Sequence, residues 1–185
     1  MTTDDRIRWN KKHHHEAQPA EPSPIVVEHL RLVNAGRALD VAAGNGRNSL
    51  YLAEQGFEVD AVDISDEALT KLAKRHANLH PVCADLDDFN IPKNRYRLIL
   101  NIRFLNRRLF PYIKDGLVSG GVLIFETYLY TPTVKDTDPM CRDYLLRSNE
   151  LLHAFLPLNI LYYREGSLEK ENESRPVASL VAVKG

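Results

Sequence analysis

The residues in this chain with the types and spacing for chemistry are three acids and a pair of glycines. Asp40 sits inside Ala38-Leu39-Asp40-Val41, and Gly44-Asn45-Gly46 follows at once. Asp63 closes the run from Phe57 to Val62, and Asp85 follows Pro81-Val82-Cys83-Ala84. Glycine lacks the Cβ that holds a ligand away, and a helix that begins just after it presents free N–H groups. A carboxylate at the end of the next strand can accept hydrogen bonds from both hydroxyls of a ribose, in the crevice where open α/β sheets take their ligands. The pattern points to a nucleoside-containing ligand held at the ends of three neighbouring strands.

The elements that must position these residues follow from hydrophobic spacing. A polar helix is expected over Asp4 to Glu16, then a linker with prolines at 19, 22 and 24 that no helix crosses. A helix from Pro24 to Val33 is expected next, with Ser23 as N-cap, Pro24 at its first position and Gly36 ending it. A strand, the glycine turn and a helix to about Gln55 follow, with Gly56 as a helix stop. After the second strand, Ser65 and Asp66 can cap a helix carrying Ala68, Leu69, Leu72 and Ala73 on one face. A short third strand runs from about Leu79 to Cys83, and the fourth from Tyr96 to Ile102. Two strand–helix units with a third strand after them make a parallel sheet with right-handed crossovers. A helix from about Leu105 to Lys114 and a fifth strand from Val122 to Tyr128 come next. The polar stretch 129–147, longer than ordinary connections, is either a lid carrying Tyr130, Tyr144, Lys135, Arg142 and Arg147 or a surface excursion.

Asp40-Val41-Ala42-Ala43-Gly44-Asn45-Gly46 resembles the D-x-G-x-G-x-G motif of class I S-adenosylmethionine-dependent methyltransferases, with Ala42 at the first glycine. Gly44 to Ala53 followed by Gly56-Phe57-Glu58-Val59 is similar to the tellurite-resistance, TehB-type branch of that superfamily. The resemblance implies an α/β, Rossmann-like class I methyltransferase fold: a seven-stranded, mainly parallel sheet with an antiparallel last strand and helices on both faces. It implies that the last strand, 177–183, enters between the fifth strand and the strand 159–164. It implies S-adenosylmethionine as cofactor, S-adenosylhomocysteine as product, and cofactor contacts at Asp40, Ala42, Gly44, Gly46, Arg47, Asp63, Ile64, Asp85, Leu86 and Asn101. Asp85 then accepts from the adenine amino group and the Leu86 N–H donates to the ring. Trp9 corresponds to an aromatic residue in a helix that lies over the cofactor, or else it is a packing anchor. On the acceptor side the exit Asn101-Ile102-Arg103-Phe104 lacks the prolines of N-P-P-[YF], which disfavours bases and glutamine as acceptors. Arg103 and Tyr128 are the acceptor-side, catalytic candidates, with Arg47 and Arg142 as further cations.

Two other ligands compete for the same residues. In an NAD fingerprint G-x-G-x-x-G the first glycine falls at Ala42 and the third at Arg47, and Asp40 would repel a pyrophosphate. S-adenosylmethionine carries no phosphate and is cationic, so an acid there is tolerated or favoured. The triplet His13-His14-His15 invites a metal, but sequence neighbours on a helix point apart, and a solvated basic face is the simpler reading. No metal is expected.

The chain as a whole bounds the function. At 185 residues it is of one-domain size, and one methyltransferase domain is expected over 1–185, with 1–24 a helix and linker at the cofactor. Hydrophobic content of 44% and charged content of 26% belong to an ordinary globular protein. A net charge of -1 argues against a protein that grips nucleic acid by its phosphates. Two cysteines, Cys83 in an apolar strand and Cys141, are too few for a disulfide framework. No signal peptide or membrane span is expected, and the setting is read as cytoplasmic. The expected partner is a small-molecule methyl acceptor, the protein being a monomer or homodimer. The alternatives are a non-catalytic S-adenosylmethionine-binding protein and an NAD-dependent reductase.

Overall fold

The computed structural model describes residues 3–15, 21–130, 144–167 and 175–185. In chain order the elements are α1 (Thr3–His15), α2 (Pro24–His29), a 3₁₀ turn (Leu30–Leu32), β1 (Arg37–Val41) and α3 (Arg47–Glu54). Then come β2 (Glu58–Asp63), α4 (Asp66–Leu72), β3 (Leu79–Cys83), β4 (Tyr96–Ile102) and α5 (Leu109–Gly116). The chain closes with β5 (Leu117–Tyr128), α6 (Glu150–Phe155), β6 (Asn159–Gly166) and β7 (Val177–Val183).

The strands form one seven-stranded sheet in the order β3-β2-β1-β4-β5-β7-β6. The ladders from β3 across to β5 are parallel, and β7 is antiparallel to both β5 and β6, between which it lies. This is the class I methyltransferase arrangement expected from the resemblance. The order reverses between β1 and β4, and the crevice at that switch point is where such a sheet offers a ligand site.

Alternation along the strands divides the core in two. Leu39, Ile99, Leu123 and Phe125 face α5 and α6 through Leu109, Phe110, Ile113, Leu151 and Phe155. Ala38, Leu98, Leu100 and Ile124 face α2, α3 and α4 through Val26, Leu52, Leu69 and Leu72. Apolar runs buried on both sides are what a parallel sheet covered by helices requires.

Several boundaries differ from the sequence expectation. The helix after Ser23 stops at His29 and tightens into a 3₁₀ turn, Val33 N–H donating to Leu30 O at 3.1 Å. Ser23 stands at its N-cap without a side-chain cap bond, and its N–H donates instead to Asn48 Oδ1 at 2.8 Å. The fifth helix begins at Leu109 rather than Leu105, because Asn106 holds the preceding turn: its Oδ1 accepts from Arg108 N–H at 3.0 Å and its Nδ2 donates to Asp87 Oδ1 at 2.8 Å. Gly120 and Gly121 lie inside β5 instead of before it. Gly120 has φ +72°, and a Cβ on Gly121 would lie 2.9 Å from Tyr96 O, so the pair carries an irregular crossing of backbones rather than a stop. Cys83 ends β3 as expected and is exposed there, with Arg6 Nη2 3.3 Å from its Sγ. Most of the 129–147 stretch, including Lys135, Cys141 and Arg142, and the tip of the β6–β7 connection lie outside the described residues.

Candidate active site

The glycine turn forms where β1 leaves the sheet, and it is left-handed at three residues: Ala42 at φ +56°, Gly44 at +53° and Gly46 at +75°. Gly46 is also required by packing, because a Cβ there would overlap Leu72 Cδ1. Asp63, at the end of β2, ties the turn down. Its Oδ2 accepts from Gly44 N–H at 2.8 Å and its Oδ1 from Ser65 N–H at 2.8 Å. Ser65 in turn caps α4, its Oγ accepting from Ala68 N–H at 3.2 Å. One buried carboxylate thereby aligns two neighbouring strand exits.

Asp40 lies deeper, 2% exposed, and accepts a 2.6 Å hydrogen bond from Ser49 Oγ of α3. Burial pushes its carboxyl up to about 6, against the pull of Ser49 and of the Arg47 charge, and the charge of Asp63 pushes the same way as burial.

Around these acids opens a cleft of about 1430 Å³. It gathers Asp40, Ala42, Gly44, Arg47, Asp63, Ile64 and Leu86 on one side, and Arg103, Phe104, Tyr128 and Tyr144 on the other. Gly46, Asp85 and Asn101 are not on its wall. Asp85 Oδ1 accepts from Asp87 N–H at 2.8 Å, forming the turn that presents Leu86 and Asp87. Asn101 Nδ2 donates to Phe104 O at 2.7 Å and shapes the β4 exit from behind.

The helix read as lying at the cofactor, α1, lines the cleft, and what sequence reasoning missed on it is His13. His13 belongs to a triplet read as solvated, yet it is 7% exposed. Its ring lies so near the turn that a Cβ on Gly44 would be 3.3 Å from His13 Cε1. Trp9 stacks on it at 5.9 Å between ring centroids, and Arg8, Trp9, Lys12 and His13 all line the cleft. His14 instead faces outward to Glu67, 3.1 Å away. Only the i, i+4 spacing of Trp9 and His13 signalled a shared face.

At the acceptor side, Arg103 takes φ +59° and donates its N–H to Glu126 O at 2.7 Å. Its guanidinium lies over the Tyr128 ring, 4.9 Å from the centroid, with Nη1 3.6 Å from Glu126 Oε1. Arg107 and Arg108, also on the wall, hold structure. Arg107 pairs with Glu150 and donates to Leu145 O at 2.9 Å, and Arg108 donates to Phe89 O at 2.6 Å.

This sheet order and this cleft define the chain's class: it has the class I S-adenosylmethionine-dependent methyltransferase fold. Residues 7–173 match the family model "Tellurite resistance protein TehB", and the chain belongs to that family. It resembles the crystal structure of TehB from Haemophilus influenzae with a TM-score of 0.75 and 26% identity, over 97% of this chain and 67% of that one. A curated relative from that organism, "Probable S-adenosyl-L-methionine-dependent methyltransferase TehB", is 27% identical over 161 residues, 80% of this chain. The match takes in 56% of the relative, so the chain spans about half the length of the curated proteins it resembles. A "Putative methyltransferase YqeM" from Bacillus subtilis is 41% identical over 51 residues, 28% of this chain and 21% of that protein.

Proposed function

We propose that this protein is an S-adenosylmethionine-dependent methyltransferase acting on a small molecule, with a chalcogen oxyanion such as tellurite or selenite, or a small thiol, as the acceptor class. The observation that carries the reading is the pair of buried acids, Asp40 and Asp63, facing one cleft beside a left-handed glycine turn. Two carboxylates at the turn suit a cationic nucleoside and oppose a pyrophosphate. The close approach of His13 to Gly44 gives a narrow slot rather than an open phosphate cradle.

When bound, S-adenosylmethionine supplies an activated methyl group on a sulfonium. The protein's part is to bind and orient. Asp63 takes the ribose hydroxyls while still holding the turn, Asp40 balances positive charge, and Ile64 and Leu86 flank the adenine. Ala42, Gly44 and Arg47 form the turn, Gly46, Asp85 and Asn101 shape the exits from behind, and α1 closes the slot from above. Proximity and orientation supply roughly 7–11 kcal/mol in favourable cases, so transfer to a ready nucleophile needs no acid–base dyad. Arg103 and Tyr128 stand on the acceptor side and favour an anionic nucleophile. A cytoplasmic setting, where thiols stay reduced, suits the exposed free Cys83. The partner is a small molecule rather than nucleic acid, and the protein acts as a monomer or homodimer.

Titration calorimetry with S-adenosylhomocysteine and with NAD, on the wild type and Asp63→Ala, tests the reading. Expected are S-adenosylhomocysteine binding, its weakening by more than tenfold in the variant, and no NAD binding. NAD binding without S-adenosylhomocysteine binding overturns it.

A further inference from the structure

With its ribose on Asp63 and its adenine between Ile64 and Leu86, the methyl donor must place its amino-acid end elsewhere in the cleft. The first turn of α3 divides its polar groups between two directions. Ser49 turns inward: its Oγ donates to Asp40 Oδ2 at 2.6 Å, and its backbone N–H serves the same carboxyl. Arg47 and Asn48 line the cleft instead. Gly46 at the N-cap brings no side-chain cap bond, so the positive end of this helix stands uncapped beside the turn.

Asn48 is 5% exposed, and its amide has one fixed orientation. The backbone N–H of Ser23 can only donate, and it donates to the Asn48 side chain at 2.8 Å, so the atom that receives it is the carbonyl oxygen Oδ1. The amide nitrogen is thereby turned away from Ser23. It finds no acceptor among the described residues and is not sealed in by protein, so it opens on the cleft that Asn48 lines. A donor on so buried a side chain is costly to leave without a partner. Beside it the Arg47 guanidinium also has no hydrogen-bond partner among the described residues, and its charge reaches Asp40. An amide donor, a guanidinium and an uncapped helix end call for an anion that carries oxygen acceptors. In the methyl donor only the carboxylate meets that demand, since its ammonium and sulfonium are drawn to acids.

We propose that Asn48 Nδ2, together with the uncapped first turn of α3 and the charge of Arg47, holds the carboxylate of the donor's amino-acid end, while the Ser23 N–H keeps the amide turned towards it. The inference rests on the methyltransferase reading and adds to it a residue that tells the whole cofactor from its decarboxylated form. Charge is then sorted along the slot, with acids at the glycine turn and donors at the start of α3. S-adenosylhomocysteine keeps the same carboxylate, so the contact is made alike with methyl donor and product. Asn48 therefore sets affinity rather than the rate of transfer.

Calorimetry at about pH 8 tests this without turnover. The probes are S-adenosylhomocysteine and its decarboxylated analogue, whose tail keeps the amine and lacks the acid. The wild type is expected to bind S-adenosylhomocysteine about tenfold or more tightly than the analogue. Asn48→Asp keeps an oxygen for the Ser23 N–H and replaces the donor by an acceptor. It is expected to weaken S-adenosylhomocysteine by about tenfold or more, while the analogue stays within about twofold or binds more tightly. Asn48→Ala adds no charge and is expected to weaken S-adenosylhomocysteine severalfold with the analogue unmoved, which keeps the test decisive if Asn48→Asp folds poorly. Equal affinity of the wild type for the two ligands overturns the proposal. So does a loss shared equally by both ligands in the variants, or S-adenosylhomocysteine affinity unmoved by either substitution. A wild type that binds neither ligand overturns the methyl-donor reading instead, so the two failures are distinct.

Discussion

Asp40 shows how one residue sets function against stability. An ordinary carboxyl ionises near 3.8, and burial raises this one to about 6. Between those values the folded state binds more protons than the unfolded chain, so its contribution to stability falls as pH rises from about 4 to 6 and stays low above that. Two pH units correspond to roughly 3 kcal/mol. Asp40→Asn keeps an oxygen for Ser49 and removes the charge. The variant should gain about 1–3 kcal/mol at pH 8, or some 2–8 °C in melting temperature, and almost nothing at pH 4. It should also lose most of its S-adenosylhomocysteine affinity. Thermal unfolding at the two pH values checks the first part, and an equal gain at both would show that ionisation is not the cost. The turn offers a second contrast. Ala42 and Gly46 both have positive φ, but only Gly46 is also packed against Leu72. Ala42→Gly should therefore change stability by less than about 1 kcal/mol, since relief of strain and the greater freedom of the unfolded chain oppose each other. Gly46→Ala should cost roughly 2–4 kcal/mol, combining backbone strain with overpacking. Urea midpoints of the two variants measure the difference.

At the scale of elements, α1 is held unlike any other helix. No apolar face seats it. It docks on α4 and the β2 exit through Arg6 to Ile64 O, Asn10 to Asp66 and Ser65, and Lys71 Nζ to the carbonyls of His13 and His14 at 2.6 and 3.2 Å. Lysine at these last carbonyls both caps the helix and opposes its dipole. Exposed polar contacts of this kind are weak one by one, so α1 belongs to the low-stability end of the molecule. Lys71→Met should speed tryptic cleavage within α1 severalfold while lowering the global melting temperature by no more than about 2–4 °C. Equal rates in variant and wild type would remove the helix cap from the account. This contrast also explains what was legible in the sequence. The strands, α3 and α4 were readable because apolar period, caps and glycines all agree at those elements. The seating of His13 was not, because it depends on residues 31 positions away at the glycine turn and on α4, where no local pattern reports. The shift of α5 to Leu109 and the extension of β5 through Gly120 and Gly121 were hidden for the same reason: Asn106 and the backbone of Tyr96 decide them from a distance. Within the site, Asp40, Asp63 and the turn were expected at the cleft and line it, whereas Asp85 was expected there and stands behind it, and the engagement of Arg107 and Arg108 in structure required the fold to be seen.

The molecule has two poles of different character. At the ends of the strands far from the cleft, Asp60 is 6% exposed and accepts Arg37 through two bonds of 3.0 and 2.7 Å and the Tyr96 hydroxyl at 2.9 Å. That knot ties β1, β2 and β4 together, and burial with the Asp60 contact keeps the Tyr96 hydroxyl protonated well above its usual range. At the cleft pole β1 and β2 end in turns held by Asp63, the β4 exit is shaped by Asn101, and α1 lines the cleft beside them. A ligand between them stabilises the whole chain by mass action, about 2.7 kcal/mol at a hundredfold excess over Kd, or roughly 5–10 °C for a chain of this size. The poles should nevertheless respond differently. Saturating S-adenosylhomocysteine should slow amide exchange at least tenfold in α1 and in the turn at Ala43 to Gly46, because those amides open locally. The amides beside Asp60, in the paired ladders of β1, β2 and β3, are expected to exchange through global unfolding, so they should slow no more than the global stabilisation requires. Hydrogen-exchange mass spectrometry of the free and saturated protein reads both at once. A rise in melting temperature without added protection in α1 would mean that the ligand sits in the turn alone, and that the stacked Trp9 and His13 are packing rather than the roof of the site.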